Sequence, residues 1–438
     1  MSDRARLSAA LVEAIQSAAE ARATPFYLTI EQDLIDAAQL FEDAFPDPWI
    51  RSYSLKADPL PEVVTILANR GWGANCVSVG EIIAARLAGV ENGNITLEGI
   101  GKGEEEFSAT IEASASGHPL RWIALESLDE ARALVAAVLA RCEKSGAPIR
   151  TLIRLNPAIE PGGHSGLAVG LGSSKFGTDR AELIAAARIV AAAGPPLQLV
   201  GIHLHAGSQL RDLSQWQTAV ERSISAYGEL VAEGLIAPDV HCTIGTLCIG
   251  GGEPVTLEGA AEHGPSTADF ARAADVAWSN ASCATPPLRA IEPGRALVAE
   301  ATYLVARVLH VRARREIVRA PLALPGEAET VCERQAVLDA GMGELIRPAL
   351  YGARHPVHAV ASRTRSDSLT AAHGPICEST DALGAHLLPG DLARGDLVAI
   401  AGAGAYADAM WSPYNSRPRP ERLLLAGSQL STIRIRGS

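Results

Sequence analysis

The chain carries no lysine before position 56, no CxxC pair, no basic tract and no apolar run long enough to cross a bilayer. Each absence excludes a class of protein. The seven cysteines are odd in number and scattered without ligand-like spacing, which argues against a disulfide framework or a zinc site and predicts no bound metal and a reduced, cytoplasmic compartment. A net charge of −12 without clustered Lys and Arg excludes nucleic acid as partner, because nonspecific affinity for a phosphate backbone comes from basic groups that release counterions. The N-terminal stretch MSDRARLSAALVEAIQSAAEA mixes charges into a helical apolar period and lacks the uninterrupted apolar centre of a signal peptide, so no export and no membrane partner are expected.

What is present is 438 residues with 47% hydrophobic and 20% charged content, enough for two domains and a large core in an ordinary soluble enzyme or binding protein. From about residue 50 to 295, eight short apolar runs alternate with segments of helical period: SYSLKA, GANCVSV, NITLEGI, RWIALES, IRTLIRLNP, LVGIHLHAG, CTIGTLCIGGG and LRAIEPGR. Eight strands separated by helices predict a (β/α)8 TIM-like barrel, and a doubly wound sheet rarely needs so many units. After residue 297 the pattern changes to Val-, Ile- and Leu-rich stretches with Pro and Gly turns (YLVARVLHVRA, TVCERQAVLDA, HPVHAVAS, GDLVAIAGAGAY, ERLLLAGSQLSTIRIR), which predict a C-terminal antiparallel β domain. TPFYLTI near residue 27 is a strand without a helical neighbour and is assigned to that domain, while RAPLALPGEAE is a loop or hairpin. The expected division is therefore a barrel over 31–297, and a sandwich-like or barrel-like β domain made of 1–30 and 298–438.

Chemistry in such a barrel sits at the C-terminal strand ends. Lys56 closes the first strand, Arg154 and Asn156 the fifth, His203 and His205 the sixth, Gly250, Gly251 and Gly252 the seventh, and Glu292 to Arg295 (EPGR) the eighth. The His pair alone reads equally well as metal ligands or as packed core. The glycines leave backbone N–H groups open to an anion, and loops after the last two strands are this fold's usual phosphate site. A lysine opposite a phosphate site, with a glutamate on the eighth strand, suits pyridoxal 5'-phosphate. Its aldehyde takes an amine, and a carboxylate keeps its pyridine nitrogen protonated. GAGAYA at 402–407 imitates a dinucleotide fingerprint but lacks the strand, helix and acid that go with one.

These residues resemble the fold-type III pyridoxal-phosphate decarboxylases, of the alanine racemase and ornithine decarboxylase fold, and within them the diaminopimelate decarboxylase branch. YSLKAD looks like that family's YxxKAN, GIHLHAGSQ like GxHxHIGSQ and IGGG like DIGGG, and EPGR matches outright. DAGMGELIRPALYGARHPV, GPICESTD and GAGAYADAMWSPYNSRPRP extend the likeness over nearly the whole chain in the family's order. The resemblance implies that Lys56 bonds to the cofactor aldehyde, that Glu292 faces the pyridine nitrogen and that His205 stacks on the ring. Ser208, Gly250, Gly251, Gly252, Arg295 and Tyr406 would hold the phosphate or its surroundings. It further implies a homodimer with shared active sites. In it Cys377 and Glu378 enter from the second subunit, Cys377 or Lys56 reprotonates the substrate carbon, and Arg295, Arg347, Tyr351, Glu378 and Tyr406 grip the far end of an amino-acid substrate. The implied reaction is decarboxylation of meso-diaminopimelate to L-lysine in amino-acid biosynthesis.

The chain also departs from the pattern. The family's aspartate on the second strand is Asn75, KAN is KAD at 56–58, HGN is EGI at 98–100, and EPV at 253–255 follows the glycines. A paralogue decarboxylating a conjugated diamino acid for siderophore, antibiotic or polyamine synthesis is the alternative. A racemase of this fold usually sets a cation against the pyridine nitrogen, which Glu292 argues against, and a silent cofactor carrier would be expected to lose Lys56 or Cys377.

Overall fold

The computed structural model describes residues 7–141, 146–159, 170–236, 245–255, 264–281, 287–360 and 366–438. The chain divides into two compact units: residues 37–254 with 264–294, and residues 1–36 and 255–263 with 295–438.

Strand β1 (Phe26–Ile30) precedes the eight strands of the first unit. These are β2 (Ile50–Ser54), β3 (Gly73–Cys76), β4 (Ile95–Leu97), β5 (Trp122–Leu125), β6 (Ile149–Leu155), β7 (Leu197–Leu204), β8 (Thr246–Cys248) and β9 (Leu288–Ile291). They form a closed parallel barrel, sealed where β2 pairs with β9 (Ile50 opposite Ala290). All eight expected runs are strands. Residues 242–244 of the seventh run lie outside the described residues. The helices between strands start where the sequence offers an oxygen to the free N–H groups of a first turn. Ser78 accepts from Glu81 N, Asp179 from Glu182 N and Asp212 from Ser214 N, and Ser266 and Asp269 form a reciprocal capping box. Trp122, Ala124, Leu152, Val200, Cys248 and Ala290 from five strands pack into one layer of the barrel interior, so the strands' polar termini are what remains for chemistry.

The second unit holds β1 and ten later strands. They are β10 (Thr302–Arg312), β11 (Glu316–Arg319), β12 (Glu329–Cys332), β13 (Arg334–Leu338), β14 (Val357–Ala359), β15 (Asp367–His373), β16 (Ala382–Pro389), β17 (Leu397–Ile400), β18 (Glu421–Ala426) and β19 (Gln429–Arg434). Nine of the eleven form one sheet, while β11 and β12 make a separate hairpin around the Pro-rich RAPLALPGEAE segment. The strand near residue 27 does join this sheet, antiparallel to β10 and parallel to β18. The sheet is antiparallel apart from that pair and β13–β15. TVCERQAVLDA splits into two strands at Glu333. The long β15–β16 pair lies in an Ala- and Gly-rich stretch that the β-branched signal does not reach. Tyr27 anchors the core among Leu304, Val308, Leu338 and Ile400, its hydroxyl donating to Glu344 O at 2.6 Å. No helix among the described residues is long and apolar enough to cross a membrane.

Candidate active site

Lys56 stands in a single 3-10 turn, Leu55–Ala57, immediately after β2. Its neighbours Leu55 and Ala57 are buried while Lys56 itself is half-buried, and it has no ion pair or hydrogen bond among the described residues. The chain's other lysines differ. Lys102 is buried against Glu130 at 2.9 Å, Lys175 lies over the Phe176 ring, and Lys144 is outside the described residues.

The loop after β8 is shaped by its glycines. Gly250 has φ +69°, and a Cβ there would sit 2.4 Å from Leu204 O; a Cβ on Gly251 would sit 2.5 Å from Glu292 O. Only glycine lets this turn lie against the ends of β7 and β9. Glu292 N donates to Gly250 O at 2.8 Å, and Leu210 N donates to Gly252 O at 3.0 Å, tying the turn to the loop that carries Ser208. Gly251 N points at His205 Nδ1 at 3.5 Å. Burial first, then the charges of Lys56, Arg154 and His203, hold the His205 imidazole well below its usual pKa, so it offers a neutral aromatic face. Burial also pushes the Glu253 carboxyl, next after the glycines, up to about 7.

Beneath this mouth lies a buried polar cluster that strand-end reasoning did not assemble. His203 Nε2 is 3.1 Å from Glu292 Oε2 and 2.9 Å from Glu98 Oε2. Asn75 Nδ2 donates to Glu98 Oε2 at 3.0 Å, and Trp122 Nε1 donates to Glu98 Oε1 at 3.2 Å. Two of the motif departures, Asn75 and Glu98, therefore meet each other. With Cys248 these groups lie within 4.8 Å of one another, a donor set of metal-ligand type. Both carboxylate oxygens converge on the imidazole N–H itself, however, and Cys248 is held as a thiol by burial and by Glu292 and Glu98. Burial raises the Glu292 pKa and the negative Glu98 raises it further. Burial alone would also raise Glu98, but the His203 charge and the donated hydrogen bonds bring it below the usual range. His203, which burial alone would neutralise, is raised by the two carboxylates. A neighbouring pair, Arg154 and Glu126 at 2.6 Å, braces the end of β6.

Pyridoxal phosphate fits the first unit on its own observations. Glu292 Oε1 is buried with no hydrogen-bond partner among the described residues, which suits an incoming N–H. The glycine turn leaves its backbone bare, and Lys56 is uncommitted.

Within the second unit, Arg295 lies 4.7 Å from the Tyr406 ring, and Tyr406 has φ +56°, an unusual conformation for a tyrosine. Arg347 opens the five-residue helix Arg347–Tyr351, is 3.2 Å from His355 Nε2, and has Nε unpartnered among the described residues. Burial and then the charge of Arg295 pull the Arg347 pKa down to about 9, so an anion beside the two would relieve a real electrostatic cost. Cys377 and Glu378 are exposed, with Tyr414 donating to Glu378 at 2.8 Å.

The family model described as pyridoxal-dependent decarboxylase, pyridoxal binding domain, matches residues 31–299. The diaminopimelate decarboxylase of Aquifex aeolicus is 30% identical over 426 residues, covering 96% of this chain and 91% of its own length. That of Neisseria meningitidis serogroup B is 32% identical over 421 residues, covering 95% and 92%. The solved structure of Helicobacter pylori diaminopimelate decarboxylase complexed with L-lysine superposes with a TM-score of 0.81 at 28% identity, covering 97% of this chain and 96% of that one.

Proposed function

This chain belongs to the pyridoxal-dependent decarboxylases, and from that premise we propose that it decarboxylates meso-diaminopimelate at the D-configured centre, releasing L-lysine and CO2. The observation that carries the substrate is the buried pair Arg295 and Arg347. A guanidinium fork recognises a carboxylate through two parallel hydrogen bonds, and these strengthen away from bulk water. A substrate with an intact amino-acid group at its far end supplies that carboxylate, and lysine or ornithine does not. Glu378, with Tyr351 and Tyr406 nearby in the motif pattern, is assigned to the accompanying ammonium group and its surroundings.

Bound pyridoxal phosphate supplies the electron sink for the bond that breaks. The protein's own groups do the rest. Lys56 would hold the cofactor through its amine. Gly250, Gly251, Gly252, Ser208, Arg295 and Tyr406 would hold the phosphate or its surroundings, and neutral His205 would support the ring face. Glu292 keeps a proton at the ring nitrogen, and Cys377 or Lys56 returns one to the substrate carbon. The exposed Cys377 and Glu378 are assigned to the neighbouring active site of a homodimer, acting in the cytoplasm.

Two expectations follow. Borohydride reduction of the reconstituted protein attaches the cofactor to the peptide containing Lys56. Mapping is simple with only Lys56, Lys102, Lys144 and Lys175 to distinguish, and label on another lysine refutes the assignment. Arg347→Lys raises the Michaelis constant for meso-diaminopimelate about tenfold or more, ~1.4 kcal/mol of lost binding, because a point charge cannot reproduce the fork. An unchanged constant in steady-state kinetics would leave Arg347 as a mere brace before Pro348.

A further inference from the structure

Glu292 does not face the ring position alone. A second carboxylate, Glu98 at the end of β4, shares the His203 Nε2–H with it, and Glu98 stands where the resemblance places a histidine. We propose that Glu98 is a positioning residue: it takes the His203 imidazolium as its own counter-ion and so leaves Glu292 as the group that exchanges a proton with the pyridine nitrogen. This rests on the reading of Glu292 as the ring-nitrogen partner.

The geometry argues for that division of labour. Glu98 accepts two hydrogen bonds, from Asn75 and Trp122, one on each oxygen, and its Oε2 also lies 2.9 Å from His203 Nε2, the solvation that stabilises an ionised carboxylate in the interior. Glu292 Oε2 has the His203 N–H, with the Cys248 thiol and the Glu98 carboxyl beside it, and Glu292 Oε1 has no partner among the described residues. His203 Nδ1 likewise has none, so Nε2 is the imidazole's polar tether. Two buried carboxylates and one imidazolium carry one uncompensated negative charge, and a further proton removes it. That proton belongs on the carboxylate with the poorer hydrogen bonding, which is Glu292. Without Glu98, His203 and Glu292 would neutralise each other and Glu292 would be a weak partner for anything else. With Glu98 present, Glu292 would keep its proton available for the nitrogen of a bound pyridoxal ring, and Glu98 would remain the carboxylate that balances the His203 imidazolium. Other groups facing the cluster are the thiols Cys248 and Cys76, both raised by burial and by Glu98, and beyond His205 the cations Lys56 and Arg154. The directions of the Glu98, Glu292 and His203 shifts agree with this distribution.

The test is infrared titration of the full-length chain free of cofactor, following the C=O stretch of a protonated carboxyl, with the His203 ring nitrogens followed by 15N NMR. The unaltered protein is expected to hold a protonated carboxyl near neutral pH. The Glu292 component of that band, taken as the difference from Glu292→Gln because the Glu253 carboxyl is also pushed up to about 7, should titrate about one pH unit or more lower in Glu98→Gln, where the like charge is gone. Glu98→Asp should return the midpoint part of the way, and Glu98→Gln should lose turnover about tenfold once reconstituted. A native protein with no Glu292-dependent carboxyl band near neutral pH, or a Glu98→Gln midpoint equal to the native one, overturns the inference without recourse to activity. The reading beneath it fails differently. Near-native turnover by Glu292→Gln would remove Glu292 as ring partner, even with the carboxyl coupling intact.

Discussion

Lys56→Ala and Cys377→Ala are each expected to be nearly inactive, yet a mixture of the two, dissociated and reassembled, regains up to about one quarter of native sites. In the proposed function Lys56 is the amine that holds the cofactor, so its loss would remove both the attachment and one candidate proton donor. Losing Cys377 as donor is expected to cost about 10²- to 10⁴-fold, the usual worth of a placed acid or base. The recovery follows from symmetry. Random reassembly makes half of the dimers mixed, and each mixed dimer pairs one intact Lys56 with one intact Cys377 at one of its two sites. The exposure of Cys377 and Glu378 within their own unit is what an intersubunit role requires. The check is turnover before and after subunit exchange, with exchange proven by differently tagged chains. No recovery despite exchange would place Cys377 at its own chain's site or outside the reaction.

Glu292→Gln is expected to retain the cofactor, seen as its bound absorbance, while turnover falls by about 3 kcal/mol of transition-state stabilisation, on the order of a hundredfold. The amide keeps the shape and loses the charge. The proposed site spreads cofactor affinity over the glycine turn, Lys56 and the ring face, so binding is expected to survive. Stabilisation of a protonated ring nitrogen matters most as negative charge flows toward it, so the loss falls on the rate of the chemical step. Near-normal turnover in single-turnover kinetics would show that the ring nitrogen needs no carboxylate.

The barrel was legible because period changes mark each strand and helix, and because a doubly wound sheet rarely needs eight such units. The places of Lys56, His205, the three glycines and Glu292 just after β2, β7, β8 and β9 were legible because each apolar run stops there. The β15–β16 pair was not, because its Ala- and Gly-rich run lacks the β-branched signal. Glu98 was visible only as a motif departure. An acid followed by glycine at a strand end reads as a solvated terminus, and only barrel closure brings β4 across to β7 and β9. His203 showed the converse ambiguity, since an HxH pair reads as metal ligands or as core until the carboxylates opposite it are known. Cys248 gave no signal among scattered cysteines because its place in the cluster comes from neighbours distant in sequence.

The central claim is decarboxylation of one particular kind of amino acid. The most direct measurement is to incubate the reconstituted protein with a panel of amino acids and detect CO2 and the amine product by mass spectrometry. The account predicts L-lysine and CO2 from meso-diaminopimelate, with ornithine and lysine poor substrates. Efficient turnover of D- or L-ornithine or of lysine, with meso-diaminopimelate ignored, would contradict it.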